Sequence, residues 1–375
     1  MEKIIITANT GWYLYNFRRN TILSLVEKGF EVYAVAPNDD YTDRLQSLGC
    51  KFVNINMHRF SKNPIIELSV IFQYLRLYNR LKPTVILNFT PKSNIYSSIS
   101  GGMLKIGIIN NISGLGRMFI NNNLAAKLVR MMYKFSQHHA STVFFQNKDD
   151  MNLFLEHNIV DNSQIDLVPG SGVDLDRFEH APAPDDGIVR FILVARLLKE
   201  KGILDYILAA SMIKDEYENV EFLLLGPVEK ENIHSVSIDE IKKWENKGTI
   251  KYLGTTDDVP GKLRNVDCVV LPSYYREGVP KSLIEAAAMG KPIITTTNIG
   301  CRDTIENGIT GYYCEMQNPK SVYEMMKEVI QCGHKKRVEM GLAGRDRAEK
   351  IFSEKIVINK YLNAINRIVV EKKKL

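Results

Sequence analysis

Two glutamates eight residues apart, Glu277 and Glu285, stand in the segment Leu271-Pro272-Ser273-Tyr274-Tyr275-Arg276-Glu277-Gly278-Val279-Pro280-Lys281-Ser282-Leu283-Ile284-Glu285-Ala286. A buried strand ends at Leu271 and a polar loop follows. Pro280 suits the first turn of a helix, where its missing N–H costs nothing. Glu277 then lies in the loop at the strand's C-terminal edge, and Glu285 on the helix's second turn. The amides around Pro280–Leu283 form the positive end of that helix, which favours a phosphate group. A carboxylate on either side can accept hydrogen bonds from sugar or ribose hydroxyls. Either glutamate alone also reads as an incidental acid on a surface helix; the combination argues against that.

A second segment, Val194-Ala195-Arg196-Leu197-Leu198-Lys199-Glu200-Lys201-Gly202, repeats the plan. A strand ends just before Arg196, and Lys201-Gly202 opens the next helix. Two cations at the C-terminal edge of a parallel sheet can neutralise a leaving diphosphate. Taken alone, they also read as solvated loop charges. Three further patterns carry less. Asp174-Leu175-Asp176 matches a metal-binding DxD, but it follows no nucleotide-binding strand, so no metal is expected there. His138-His139 reads as a helix C-terminal cap more readily than as a ligand pair. Gly114-Leu115-Gly116 lacks the third glycine of a dinucleotide motif.

The elements that must position these residues alternate along the chain. Lys3–Ala8, Glu31–Ala36, Lys51–Asn56, Thr84–Asn88, Ile106–Ile112 and Thr142–Gln146 read as strands spaced by helical patterns, the mark of βαβ units and a parallel sheet. The pattern pauses at Val168-Pro169-Gly170-Ser171-Gly172 and a Pro-, Gly- and acid-rich stretch ending at Gly187. It resumes with strands at Val189–Ala195, Val220–Leu225, Ile250–Leu253, Cys268–Leu271 and Pro292–Thr296. The expected organisation is an α/β domain over 1–170, a linker over 171–187, a second α/β domain over 188–350 and a closing helix over 351–375 that returns toward the first domain. Ligands of doubly wound sheets sit beyond the strand C-termini, so a cleft between the two domains is the expected site.

The Arg196/Lys201 pair and the Glu277/Glu285 spacing resemble the retaining GT-B glycosyltransferases of family 4. Val168-Pro169-Gly170-Ser171-Gly172-Val173-Asp174, the run Gly300–Tyr312 and Gly11 fit the same pattern. Tyr15-Asn16-Phe17-Arg18, Pro91-Lys92-Ser93-Asn94 and Gly114-Leu115-Gly116 resemble bacterial enzymes that extend polyprenyl-diphosphate-linked sugars with N-acetylhexosamines. The resemblance implies two Rossmann-like domains facing across a cleft and a nucleotide sugar, UDP-linked, as donor. It also implies a polyprenyl-diphosphate-linked glycan as acceptor, and a cytoplasmic enzyme peripheral on the inner membrane. It assigns Arg196 and Lys201 to the donor diphosphate, Glu277 to the hydroxyls of the transferred sugar and Glu285 to the ribose. Gly278, Val279, Pro280, Lys281, Ser282 and Gly11 would hold phosphate or sugar. No cofactor or metal is expected, because the cations serve the diphosphate. Many members carry a histidine beside the acceptor; here that stretch reads Asn110-Asn111-Ile112-Ser113-Gly114.

Composition sets the outer bounds. At 375 residues, 45% hydrophobic and 25% charged, the chain is long enough for two domains and is neither disordered nor fibrous. Its five cysteines form no CxxC pair, which points to a reducing compartment without structural zinc. The N-terminal apolar run is too short for a signal peptide, and no run approaches the roughly eighteen residues of a membrane span. The net charge of +6 is uneven: from Arg44 to Lys148 there are fourteen Lys and Arg residues and one acid, Glu67. That face is either merely solvated or meets an anionic partner, lipid or nucleic acid. Lys127, Arg130 and Lys134 share a helix with Leu124, Leu128, Met131 and Phe135, the pattern of a segment lying on lipid. The stretch Ile65–Leu81 repeats it, with core packing the alternative for both. No nucleic-acid recognition motif accompanies the basic residues. Two rival functions remain: a UDP-N-acetylhexosamine 2-epimerase of the same fold, and a non-enzymatic nucleic-acid-binding protein that leaves the paired glutamates and cations unexplained.

Overall fold

The computed structural model describes residues 1–58, 61, 63–115, 119, 124–229 and 232–374. The chain divides into two units, Met1–Ser171 with Lys355–Leu375, and Gly172–Glu354. The first holds a seven-stranded parallel sheet: β1 (Lys3–Thr7), β2 (Glu31–Ala36), β3 (Lys51–Asn54), β4 (Val85–Asn88), β5 (Gly107–Ile112), β6 (Thr142–Phe145) and β7 (Ile165–Leu167), in the order 3-2-1-4-5-6-7. The second holds six: β8 (Val189–Val194), β9 (Val220–Leu225), β10 (Lys251–Tyr252), β11 (Cys268–Leu271), β12 (Ile293–Thr296) and β13 (Gly311–Cys314), in the order 10-9-8-11-12-13.

These strands form where they do because both faces of each sheet are covered. Ile4 and Ile6 of β1 enter one core cluster and Ile5 the opposite one, all fully buried. A strand buried on both sides needs an unbroken apolar run, and Ile4-Ile5-Ile6 and Cys268-Val269-Val270-Leu271 supply it. Both sheets reverse direction beside their first strand, between β1 and β4 and between β8 and β11. At such a switch point the loops leaving the two central strands diverge and leave a crevice at the sheet's carboxyl edge.

One stretch packs differently from the sequence reading. Residues 172–187, expected as part of a linker, pack into the second unit: Val173, Phe178 and Ala181 belong to its core. Val173 also donates its amide to Phe352 O at 2.7 Å and accepts from Glu354 N at 3.0 Å. Proline and glycine shape this stretch without keeping it in solvent. The helix Glu354–Lys374 buries Tyr361, Ile365 and Ile368 in the cluster that holds β1, β2 and β4, so the end of the chain completes the first unit. In that unit the helices Pro64–Leu81, Pro91–Met103 and Leu124–Gln137 lie side by side.

Candidate active site

The loops after β8 and β11 meet at the second sheet's switch point. The Glu200 carbonyl accepts from the amides of Tyr274 (2.9 Å) and Tyr275 (3.1 Å), tying one loop to the other. Gly202 sits in the left-handed region at φ 74°, and a Cβ there would fall 2.3 Å from Pro272 O, so only glycine allows the approach. The loop after β12 holds the arrangement from the other side. Thr296 Oγ1 donates to Ser273 O (2.6 Å) and Asn298 Nδ2 to Tyr275 O (2.8 Å). Gly300 presses on Gly278, where a Cβ would lie 2.0 Å from the Gly278 carbonyl.

This bracing brings Lys201 and Glu277 together. The Lys201 ammonium pairs with Glu277 Oε1, both side chains being about nine-tenths buried (10% and 12% exposed). Ser273 Oγ lies 3.3 Å from the same carboxylate oxygen, and the Tyr275 ring centroid is 5.4 Å from the ammonium. A cation and a carboxylate shielded from water side by side at a sheet's switch point can bind an anionic group and accept from neighbouring hydroxyls. Gly278, Val279 and Pro280 then lead into the helix Lys281–Ala288, which Pro280 caps with no side-chain hydrogen bond. The amides of Lys281 and Ser282 head that helix. Lys281 Nζ donates to Gly172 O (3.3 Å) and stands 3.7 Å from Glu285 Oε1.

Glu285 is buried, 8% exposed. Burial pushes its carboxyl above the usual carboxylate range, only partly offset by Lys281 and Arg177. Hydroxyls donate best to the ionised form. If Glu285 receives the donor ribose, donor affinity falls as pH drops through that raised value, at a higher pH than an ordinary carboxylate titrates. Glu285→Gln should raise donor KM several-fold and erase this acid limb, which a KM–pH profile reads directly. A donor KM indifferent to the substitution would remove Glu285 from the site.

Arg196 has a carboxylate partner of its own. Its Nη1 lies 3.1 Å from both carboxylate oxygens of Glu229, and Asn232 Nδ2 donates to Glu229 Oε2 at 2.9 Å. Glu229 follows β9, which adjoins β8, so the pair occupies the same carboxyl edge. Sequence reasoning missed Glu229. Its signal was position: Leu225-Gly226-Pro227-Val228-Glu229 leaves a strand exactly as Ala195-Arg196 does, at the edge where ligands bind.

The remaining expected residues distribute as follows. Gly11 belongs to the first unit and opens the helix Gly11–Glu27, capped by Thr10, whose Oγ1 accepts from Tyr13 N. That helix end already meets a carboxylate: Asp39 Oδ2 accepts from Trp12 N at 2.9 Å, and a Gly11 Cβ would fall 2.4 Å from Asp39 Oδ1. Asn110 and Asn111, the stretch without the acceptor histidine, point into the core. Asn110 bonds Asn88 and Gln137, and Asn111 bonds the Tyr361 hydroxyl. Asp174 closes a turn, its Oδ1 accepting from Asp176 N and Arg177 N. Gly116 lies outside the described residues. On the helix Leu124–Gln137, Lys127 and Lys134 are exposed with Leu124, Leu128, Met131 and Phe135 on one face. Arg130 departs from the expected trio: it is half-buried and donates to Phe119 O at 2.9 Å. Ile65, Leu68 and Phe72 form a second exposed apolar row on Pro64–Leu81, with Arg76 and Arg80 exposed on the same helix.

The chain resembles known proteins over nearly its whole length. Residues 174–347 match the family model "Glycosyl transferases group 1", and residues 3–147 match "Glycosyl transferase 4-like". Together these take in most of the chain, which belongs to the GT-B glycosyltransferases. Over 98% of its length it is 27% identical to the N,N'-diacetylbacillosaminyl-diphospho-undecaprenol alpha-1,3-N-acetylgalactosaminyltransferase of Campylobacter jejuni, 99% of which is covered. Over 71% of both chains it is 23% identical to the UDP-Gal:alpha-D-GlcNAc-diphosphoundecaprenol alpha-1,3-galactosyltransferase of Escherichia coli. A glycosyltransferase structure from Rickettsia africae shares the fold at TM-score 0.79 and 17% identity, with 98% of both chains covered.

Proposed function

We propose that this glycosyltransferase moves an N-acetylhexosamine from a UDP donor onto a polyprenyl-diphosphate-linked saccharide, retaining the anomeric configuration. The observation that carries the reading is the shielded Lys201–Glu277 pair at the switch point, beside the head of the helix Lys281–Ala288. In this reading Lys201, Arg196 and the amides of Lys281 and Ser282 stabilise the charge that builds on the departing diphosphate. Glu277 accepts from hydroxyls of the transferred sugar and Glu285 from the ribose. Same-face attack guided by the leaving phosphate accounts for retention. The acceptor class follows the two bacterial relatives, both of which act on undecaprenyl-diphosphate-linked sugars by name.

The acceptor's lipid fixes where the enzyme must work. Among the described residues no helix is long and apolar enough to cross a membrane. The exposed faces of Leu124–Gln137 and Pro64–Leu81 mix cations with large apolar side chains, which suits peripheral docking on anionic lipid at the cytoplasmic surface.

The test is transfer of label from UDP-N-acetylhexosamines to a polyprenyl-diphosphate saccharide, followed by solvent extraction. Label in the lipid phase supports the reading. Inversion at sugar C2 with no labelled lipid would favour the epimerase, and duplex or single-stranded nucleic acid binding without either would favour the non-enzymatic rival. Two cations and a helix end supply the charge a divalent ion otherwise provides. Transfer should therefore continue at near-normal rate in excess EDTA. A rate that collapsed and returned only with Mn²⁺ or Mg²⁺ would refute the metal-free account.

A further inference from the structure

The Arg196–Glu229 pair has a consequence for turnover. A diphosphate that engages Arg196 must displace or share a carboxylate already held at 3.1 Å from its Nη1. Glu229 is itself anchored, its Oε2 accepting from Asn232 Nδ2 and its amide donating to Ser235 Oγ at 3.2 Å. Its side chain is 11% exposed. An anchored, poorly hydrated carboxylate cannot retreat far when a second anion arrives, so the two compete for one guanidinium. That competition is unequal along the reaction. The nucleoside diphosphate product carries one more ionisable phosphate oxygen than the nucleotide sugar and draws more on Arg196, so sharing the guanidinium with Glu229 costs bound product more than bound donor.

We infer that Glu229 is a positioning residue for product release, reclaiming the Arg196 guanidinium as the nucleoside diphosphate departs. This rests on the assignment of Arg196 to the donor diphosphate. Glu229 touches neither sugar nor phosphate in this role and acts through Arg196 alone. Its effect is therefore conditional on that arginine and on a negative charge at position 229.

The test is UDP binding by calorimetry, and donor KM, for wild type, Glu229→Gln, Arg196→Ala, the double variant and Glu229→Asp. Gln can still accept from Asn232, so the loop keeps its anchor while the charge is lost. Glu229→Gln should bind UDP about tenfold more tightly, the scale of a single coupling between sites. Donor KM should fall less, and product inhibition should strengthen. The gain should vanish in the Arg196→Ala background, and Glu229→Asp, which keeps the charge, should stay near wild type. If Arg196→Ala weakens UDP binding but Glu229→Gln leaves it unchanged or weaker, the release role is wrong and the diphosphate assignment stands. A gain that persists without Arg196, or that Glu229→Asp reproduces, also overturns the role. Arg196→Ala with unaltered UDP affinity removes the assignment underneath it.

Discussion

Lys201→Ala should lower kcat by about two to three orders of magnitude, the cost of losing one donor aimed at charge that develops in the transition state, roughly 2.7–4 kcal/mol. The ammonium is largely shielded from water, so its contact with a developing charge is weakened little. Removing it also strands the Glu277 carboxylate, and breaking a buried pair from one side destabilises a fold by roughly 3–5 kcal/mol. Chemistry and stability must therefore be separated. Lys201→Met combined with Glu277→Gln neutralises both members at similar volume and should hold Tm near the wild-type value while turnover stays lost. Glu277→Gln alone should lower kcat more than it changes donor KM. A folded Lys201→Ala enzyme with near-normal turnover would show that the leaving group is stabilised elsewhere.

Reversing Lys127 and Lys134 together to Glu should release the enzyme from anionic vesicles. Each cation near such a surface contributes about fivefold to partitioning, so losing two and adding two repelling charges gives an effect of several hundredfold at low salt. Arg130 is left in place because its guanidinium holds the Phe119 carbonyl and its loss would disturb packing. Phe135→Ser, which removes a ring 59% exposed, should weaken binding independently of salt. Transfer to a long-chain acceptor in vesicles should slow in step, whereas a short soluble acceptor should be little affected. Co-sedimentation at low and moderate salt reads the result. Unchanged binding under both conditions would reduce this face to a solvated one.

What the sequence disclosed and what it concealed follow from burial. Strands covered on both faces announce themselves as apolar runs, so β1, β2, β8, β9 and β11 were legible to within a residue or so. Two edge strands were not. β7 is three residues long, and β13 begins at Gly311, which has no side chain to signal burial; a Cβ there would fall 1.9 Å from Ile293 O. The 171–187 stretch misled because Pro and Gly report local backbone shape, while Val173 and Phe178 decide where it packs. At the site, residue types and their place after strands pointed to Lys201, Glu277 and Glu285. The pairing of Arg196 with Glu229 was harder to read, since Glu229 is 33 residues away and only its place after a strand marked it; the two meet because β8 and β9 pair. Likewise the periodicity that grouped Lys127, Arg130 and Lys134 could not reveal the Phe119 carbonyl that turns Arg130 inward.

In the proposed function the carboxyl edge of β8 and β11 receives the donor nucleotide. Amide hydrogen exchange of the intact protein with and without UDP reads this binding segment by segment. Binding should slow exchange in 195–202 and 272–285, where the Glu200 carbonyl ties down the Tyr274 and Tyr275 amides ahead of the helix Lys281–Ala288, and Lys201→Ala should weaken that protection. Saturating UDP that left both segments unchanged, or protected only the opposite edge of the sheet around Lys291 and Arg337, would contradict the account.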